Sequence, residues 1–547
     1  MLSQLIKLPT NAKVGVVGGG ISGLTFTYFL GKLRPDVEIT LFNPESRPGG
    51  WINSWDTHDK NNQPVMIERG PRTFRGVSDG TVMIMDSMLE MNKGDLIRSI
   101  SKDSNADKKF IVDPKNKLVQ VPNSFPTLMK FFFNPLSKGL FSGMITEWTR
   151  KPIDPQIKDE SVLSLLTRRY GSSAIGRNLF SALYRGIYAD DVGNLSAQKV
   201  VGKLYYDERK YGSITKGSIS RWRNKSKKED ENKDKLSESV ALYTRVFNKD
   251  ENKIRALSKR LAQFPMLGLK GGLSQFPNAF KEAIVKLPNV SLLTDNVTSM
   301  NQSVKKDKMV LEYMTTNGNK SSSSKNSIKE FDHVRLAIAP NKISKLISRT
   351  NPKIKEKLDM INTNTVTLVN LFIPDKDIIP QKNNGFGYLI PESNNNPEKV
   401  LGVIFDSVIE KSFKPFIETK SPTTTLQSQA QNYTKLTAMV GGSLYNDANG
   451  KQHIPNEEQT IENVKSALQK HLGTSREDLD AGQWVYTVAK DCLPQFKIGY
   501  NDLTKSIEED VINDYSSKVS LGGMGFSKGP GIPDVVADAL IDATKLQ

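Results

Sequence analysis

A chain of 547 residues with 76 Lys and Arg against 59 Asp and Glu carries a formal net charge of +17, and its length suits roughly three or four domain-sized pieces. The single cysteine, Cys492, excludes an intrachain disulfide, and His58, His333, His453 and His471 are too scattered for a zinc ligand set. The basic balance points to an anionic partner such as nucleic acid, an acidic lipid surface or a polycarboxylate substrate, and no apolar run of about 18 residues predicts a membrane-crossing helix. Met1-Leu2-Ser3-Gln4-Leu5-Ile6-Lys7 carries no acid and is too short for a cleavable signal peptide, so the mature chain is expected to begin close to Met1.

The first element is Val14-Gly15-Val16-Val17-Gly18-Gly19-Gly20-Ile21-Ser22-Gly23-Leu24, which reads as an apolar strand, a glycine-spaced turn and the start of an apolar helix. Gly18 is expected to turn the backbone, Gly20 to admit a pyrophosphate closely and Gly23 to let helix press on strand. The helix N-terminus then offers free N–H groups to the anion. Gly19, Ile21 and Ser22 complete this dinucleotide cradle. Val37, Ile39 and Leu41 alternate with Glu38 and Thr40 as a second strand, which closes a compact right-handed unit. An acid about twenty residues past the third glycine would accept the ribose hydroxyls. Asn43 stands there instead, with Glu45 two residues on. Either Asn43 serves without charge or Glu45 reaches back, and Asn43 is the favoured contact.

Arg47-Pro48-Gly49-Gly50-Trp51 follows. It resembles the R-x-G-G segment after the first dinucleotide unit in flavoproteins of the amine oxidase and phytoene desaturase superfamily, and that resemblance implies FAD over NAD.

Between Val121 and Lys151 the composition changes: Phe125, Leu128, Met129, Phe131, Phe132, Phe133, Leu136, Leu140, Phe141, Met144 and Trp148 lie among Lys130, Lys138, Arg150 and Lys151. A helical core with exposed lysines and a shallow monotopic membrane contact both fit, and the breadth of the aromatic arc favours the membrane. Arg221 to Lys235 and Asn317 to Ser327 read as solvated surface insertions with too little apolar area to order themselves. Lys225, Lys227 and Lys228 are followed at once by Glu229, Asp230 and Glu231 without stacking aromatics, so no nucleic-acid partner is expected. Near the C-terminus, Val519-Ser520-Leu521 predicts a strand, Gly522 to Gly531 a glycine-rich loop and Val535 to Leu540 a helix. Pro533 and Asp534 suit its opening turn. A helix N-terminus placed there would stabilise negative charge on a flavin pyrimidine edge.

With these motifs stand Glu68-Arg69-Gly70-Pro71-Arg72-Thr73, Arg185-Gly186-Ile187-Tyr188-Ala189-Asp190, Leu267-Gly268-Leu269-Lys270-Gly271-Gly272-Leu273, Gly385-Phe386-Gly387-Tyr388-Leu389, Leu401-Gly402-Val403-Ile404-Phe405-Asp406-Ser407 and Cys492-Leu493-Pro494-Gln495-Phe496. Taken in order from Val14 to about Ala543, the set resembles the protoporphyrinogen oxidase family, in particular its fungal mitochondrial members. The resemblance implies an α/β fold with a Rossmann-like FAD-binding domain built from discontinuous segments (1–92, 261–310 and 481–547). It adds a mainly helical membrane-binding domain (93–215), a charged polar insertion (216–260) and an α+β substrate domain (311–480).

By the same resemblance FAD is held without covalent attachment by Gly18 to Gly23, Asn43, Arg47, Gly50, Trp51, Gly70, Pro71, Arg72, Thr73, Val297, Met524, Pro530, Gly531 and Ile532. Arg72 also reads as a charge anchoring a Gly-Pro turn, and Val297 as a plain strand residue. Phe386, Gly387 and Leu389 would sandwich pyrrole rings, Gly186 would leave room beside them, and Met439 would line the wall. Lys109 stands where many members place an arginine for a substrate propionate, so a looser grip is implied unless it is merely a solvated lysine. The implied activity is oxidation of protoporphyrinogen IX by dioxygen with release of peroxide, no catalytic side chain, and hydride passing to flavin N5. A homodimer peripheral to the mitochondrial inner membrane, handing product to ferrochelatase, is implied as well. Two alternatives remain: another amine or polyene oxidase, although Leu521 to Gly531 lacks the tyrosines of an amine oxidase cage, and a non-catalytic binding protein like the Rab GDP-dissociation inhibitors.

Overall fold

The computed structural model describes residues 5–232, 235–303, 307–315, 326–347, 351–417, 432–447 and 449–546. Strand Lys13–Val17 lies near the middle of a five-stranded parallel sheet whose order is Val290–Leu293, Glu38–Phe42, Lys13–Val17, His333–Leu336 and Val519–Leu521. Both faces of this sheet are covered, which is why Val14, Val16, Ile39 and Leu41 on one face and Val17 and Phe42 on the other are all buried and the strands read as nearly continuous apolar runs. Helix Ile21–Leu33 is buried over most of its surface and packs against helix Ile532–Ala543, which in turn rests on helix Asp79–Glu90. That last contact is close enough that a Cβ at Gly80 would fall 1.8 Å from the carbonyl oxygen of Pro533. The two ends of the chain thus share one core.

Three expectations about organisation are corrected. The strand His333–Leu336 belongs to the parallel sheet, so the substrate segment does not begin at 311. The hairpin strands Lys308–Thr315 and Asn326–Phe331 lead into that strand and bury Met309, Leu311 and Phe331 beneath the same sheet. The residues 216–260 are no insertion. Helices Glu238–Val246 and Glu251–Leu261 place Val240, Tyr243, Ile254 and Leu261 in the core around helix Asp79–Glu90, an apolar stripe at helical spacing that the charge count conceals. The residues from Arg221 continue a helix, Ile214–Asn232, because Lys, Arg and Glu are good helix formers once a first turn is set. That turn is set by Glu147, whose carboxylate accepts the backbone N–H groups of Ile214 and Thr215 at 2.9 and 3.0 Å. Of the second predicted insertion, 317–325 lies outside the described residues, and Asn326 and Ser327 open the strand Asn326–Phe331.

The segment 93–215 is mainly helical and also sends strands Lys109–Val112 and Leu118–Gln120 into a second sheet. That sheet has seven strands, ordered Gln483–Pro494, Thr363–Ile373, Thr434–Gly441, Val400–Ile404, Gly387–Leu389, Lys109–Val112 and Leu118–Gln120. Its register sorts the residues by face. Tyr388, Val403, Ala438 and Val369 pair in one row and pack with Val464, Ala467 and Leu468 of helix Glu457–Leu472 into a closed core. The opposite face carries the row Ile111, Leu389, Gly402, Met439, Leu368 and Thr487. Side chains alternate across a strand, so residues two apart share a face. Gly387 therefore shares this second face with Leu389.

Candidate functional site: a nucleotide cradle opening on a sheet-lined cleft

The three cradle glycines do three different backbone jobs. Gly18 sits at φ +111°, in the region glycine favours, and its N–H donates to the carbonyl of Phe42 at 2.9 Å, which ends two parallel strands together. A Cβ at Gly23 would lie 1.9 Å from the carbonyl oxygen of Gly18, so helix and turn touch there. At Gly20 a Cβ would meet nothing within 4 Å. The cradle is open at the point where a pyrophosphate would approach the helix N-terminus, and these residues fit a dinucleotide.

Around it the chain is braced by its own polar groups. Asn43 ends strand Glu38–Phe42 against Gly19, and its Nδ2 donates to the carbonyls of Glu45 at 2.6 Å and Arg47 at 3.2 Å. Glu45 turns to Arg47 at the surface. Arg47 donates to the carbonyls of Ile52 at 2.5 Å and Gly50 at 2.8 Å, so its guanidinium shapes the turn that presents half-exposed Trp51. Gly70 packs its Cα where a Cβ would fall 2.0 Å from the carbonyl oxygen of Trp51, and Pro71 and Thr73 flank the buried Arg72. Val297 is buried in strand Asp295–Ser303 beside a register shift.

At the junction of the two sheets, the Arg72 guanidinium meets Asp406 at 2.9 Å with both side chains nearly out of solvent. Asp406 also accepts from Thr437 Oγ1 at 2.6 Å, Thr437 accepts from Asn370 Nδ2 at 2.7 Å, and Asn370 donates to the carbonyl of Glu68 at 3.1 Å. Thr437 and Asn370 lie on the same sheet face as Met439 and Leu368. This polar chain therefore ties that sheet face to the strand Pro64–Glu68. Burial raises the Glu68 carboxyl despite hydrogen bonds from the Leu273 N–H and the Ser54 hydroxyl, which tie this junction to the Gly271-Gly272 turn.

Of the expected substrate residues, Lys109, Gly387, Leu389 and Met439 share that face by register. Lys109 is the register partner of Gly387, and Ile111 of Leu389. The Lys109 ammonium is half exposed and held by Asp107 at 3.2 Å. Gly186, on helix Ser181–Tyr188, faces Leu389 so closely that a Cβ would fall 2.6 Å from Leu389 Cδ2. The room it leaves is filled by that leucine and not left empty. Gly402 yields to the same side chain from the other side, with its Cβ position 2.7 Å from Leu389 Cδ2. Met439 sits next to Gly402 in the row, whereas Phe386, two residues before Tyr388, packs on the closed-core side, its N–H donating to the carbonyl of Lys108 at 2.7 Å.

The C-terminal loop closes the cradle. Gly522 N–H donates to the carbonyl of Leu336, and helix Ile532–Ala543 opens at Gly531 with Pro533 and Asp534 in its first turn, three residues earlier than the predicted Val535. Met524 and Pro530 lie in that loop. Burial raises Asp534, with Arg75, Lys528 and Lys199 opposing through their charge. Sequence reasoning missed Asp406 as the partner of Arg72, and Thr437 and Asn370 behind it, because nothing in the spacing joins residues so far apart. Cys492 is part-buried and its thiol is pushed up to about 11 by burial, which leaves it unreactive.

Residues 16–86 match the model of an NAD(P)-binding Rossmann-like domain. A solved Exiguobacterium sp. 255-15 protein provisionally named protoporphyrinogen oxidase superposes with a TM-score of 0.66 at 18% identity, covering 98% of each chain. Putrescine oxidase superposes with a TM-score of 0.56 at 13% identity, covering 98% of this chain and 99% of that one. At those identities the likeness defines the fold alone: an α/β architecture built on a Rossmann-like domain. The sequence is 48% identical to protoporphyrinogen oxidase of Saccharomyces cerevisiae over 549 aligned residues, covering 100% of both chains, and 28% identical to that of Schizosaccharomyces pombe, covering 97% of this chain and 98% of the other. The chain belongs to the protoporphyrinogen oxidase family.

Proposed function

We propose that this chain is an FAD-dependent oxidase that converts protoporphyrinogen IX to protoporphyrin IX with dioxygen as the final acceptor. The observation that carries the reading is the 48% identity with the Saccharomyces cerevisiae enzyme along the whole of both chains. When bound, FAD supplies a two-electron acceptor that dioxygen reoxidises. Three rounds remove six hydrogens from the porphyrinogen and reduce three dioxygen molecules to three of hydrogen peroxide.

The side chains position and do not react. The N-terminus of helix Ile21–Leu33 would hold the pyrophosphate, and Asn43 the ribose through the amide oxygen left free by its two Nδ2 bonds. The N-terminus of helix Ile532–Ala543 would face the pyrimidine edge. Leu389 and Met439 would press the flexible tetrapyrrole flat against the cofactor side of the cleft, while Lys109 would draw in a propionate. Holding one methylene bridge in register lowers the barrier through orientation alone, and the protons released from pyrrole nitrogens need no dedicated base.

We further propose a peripheral seat on the mitochondrial inner membrane, a homodimer, and delivery of product to ferrochelatase. Support for the membrane comes from one patch: Phe125, Phe133, Phe141, Met144, Ile145 and Trp148 all project outward, with Phe133 87% exposed, while Phe131 and Leu136 turn inward toward Leu389. No helix among the described residues is long and apolar enough to cross a bilayer.

The test is stoichiometry. Purified protein with FAD in air is expected to consume three dioxygen molecules for each porphyrin that fluoresces. Oxygen uptake with amines or polyenes and none with porphyrinogen would overturn the reading in favour of another oxidase of the superfamily.

A further inference from the structure

Lys199 occupies a position that the reaction described above does not use. It lies on a single helical turn, Ala197–Val200, that is pinned from several sides. Ser196 caps the turn by accepting the N–H of Lys199 at 3.0 Å, and the Ser196 N–H donates to the carbonyl of Phe496 at 2.8 Å. Asp159 accepts from Ser196 Oγ at 2.6 Å and from the N–H of Gly499 at 2.8 Å, so one carboxylate holds this turn and the start of helix Tyr500–Asp514 together. A flexible four-carbon side chain is thereby launched from a fixed base.

Its ammonium goes to the C-terminal loop. Lys199 Nζ donates to the carbonyl of Ser527 at 2.8 Å and lies 5.3 and 5.5 Å from the ring centres of Phe496 and Tyr500. Among the described residues no carboxylate stands within ion-pair distance of it. Asp534, Asp538 and Glu508 act on it only through their field. A largely desolvated cation on two aromatic faces is strongly attracted to a backbone carbonyl. The loop is gripped at one more point, where Tyr500 donates to the carbonyl of Gly525 at 2.7 Å, and it is braced internally by Ser527 Oγ donating to the carbonyl of Gly529 at 2.5 Å. Every one of these bonds ends on a loop carbonyl between Met524 and Pro530, the stretch that closes the cradle.

We propose that Lys199 is a positioning residue that staples the 522–531 loop in its closed form and so sets how tightly the protein retains FAD. This rests on the cofactor reading given above. The staple joins the turn Ala197–Val200 to the C-terminal loop, where Ser527 lines one cavity with Ser22 of the cradle.

The experiment compares the parent with Lys199→Met, which keeps the apolar stem against Phe496, with Lys199→Arg, and with Tyr500→Phe. FAD dissociation is measured by flavin fluorescence and the KM for porphyrinogen at saturating FAD. Lys199→Met is expected to weaken FAD binding about tenfold, the scale of one hydrogen bond from a charged group. Lys199→Arg should restore it to within about threefold, Tyr500→Phe should weaken it about threefold, and KM should stay put throughout. A Lys199→Met dissociation constant within twofold of the parent overturns the proposal, as does a raised KM with FAD binding intact. Should Lys199→Met fail to fold, an unchanged FAD affinity in Tyr500→Phe overturns it equally. A parent that takes up no FAD at all would instead bring down the cofactor reading on which the staple depends.

Discussion

Glycines line both halves of the site, and they do opposite things there. In the cradle, Gly20 leaves space that the protein does not fill. In the cleft, Gly186 and Gly402 leave space that Leu389 fills at once. The cradle is therefore a backbone site whose ligand takes the room, and the cleft is a side-chain site whose shape is set by one leucine nested between two glycines. In the first the backbone itself excludes a Cβ at Gly18 and Gly23, and the second is tunable by a methyl group.

Gly23→Ala should produce the largest effect, since its methyl would fall on the carbonyl of Gly18. FAD binding measured by absorbance is expected to drop more than about a hundredfold, in line with the several kcal/mol of a forced close contact, and an FAD content equal to the parent would break the contrast. Next comes Asp406→Ala, which leaves the Arg72 guanidinium buried without its partner. Thermal or urea unfolding should register a loss of about 3–5 kcal/mol, whereas a loss under about 1 kcal/mol would mean that the junction is wetter than its geometry. Gly186→Ala should push Leu389 into the cleft and raise the KM for porphyrinogen about tenfold, a typical overpacking penalty, with FAD content unchanged. Lost flavin in that variant would merge the two regions into one.

Acid sharpens the comparison between the two sheets. Burial holds His333 of the parallel sheet down to about 3, and His471, which meets the Tyr388 hydroxyl on the core side of the second sheet, down to about 4. Both are neutral when folded and take up a proton when unfolded below their usual value near 6.5. Stability is accordingly whole above that value and is lost as pH falls from about 6.5 toward 3–4, by up to about 1.4 kcal/mol per pH unit for each histidine. Replacing His471 by Gln should flatten part of that slope in urea titrations, and an unaltered slope would contradict the assignment.

The smallest effect is expected at Asn43. An aspartate would add the charge that the ribose position commonly carries, yet it loses the two Nδ2 donations that hold the carbonyls of Glu45 and Arg47. FAD binding to Asn43→Asp should weaken about threefold, and tighter binding would show that charge outweighs the lost donors.

How far the sequence could be read follows the same division. The cradle was legible because backbone demands appear as residue identities: only glycine takes φ +111° at position 18 without strain, and only glycine lets Gly23 touch the turn. The strand and helix at 519–543 were legible from patterning, with Pro533 and Asp534 marking the opening turn, and only Ile532 at the helix start was not read. The core position of 238–261 was not legible by composition, since its lysines and glutamates outnumber the four side chains that carry its packing. The Arg72 to Asp406 junction and the nesting of Leu389 depend on strand register across the second sheet. A single chain does not display that register, because pairing partners are set by tertiary packing.

The account rests on porphyrinogen reaching, through the sheet-lined cleft, a flavin held in the glycine cradle. Anaerobic addition of protoporphyrinogen IX to the purified FAD-loaded protein measures this directly by visible absorbance. The account predicts that the yellow flavin band bleaches and returns on admitting air. A flavin spectrum unmoved by the porphyrinogen would contradict it.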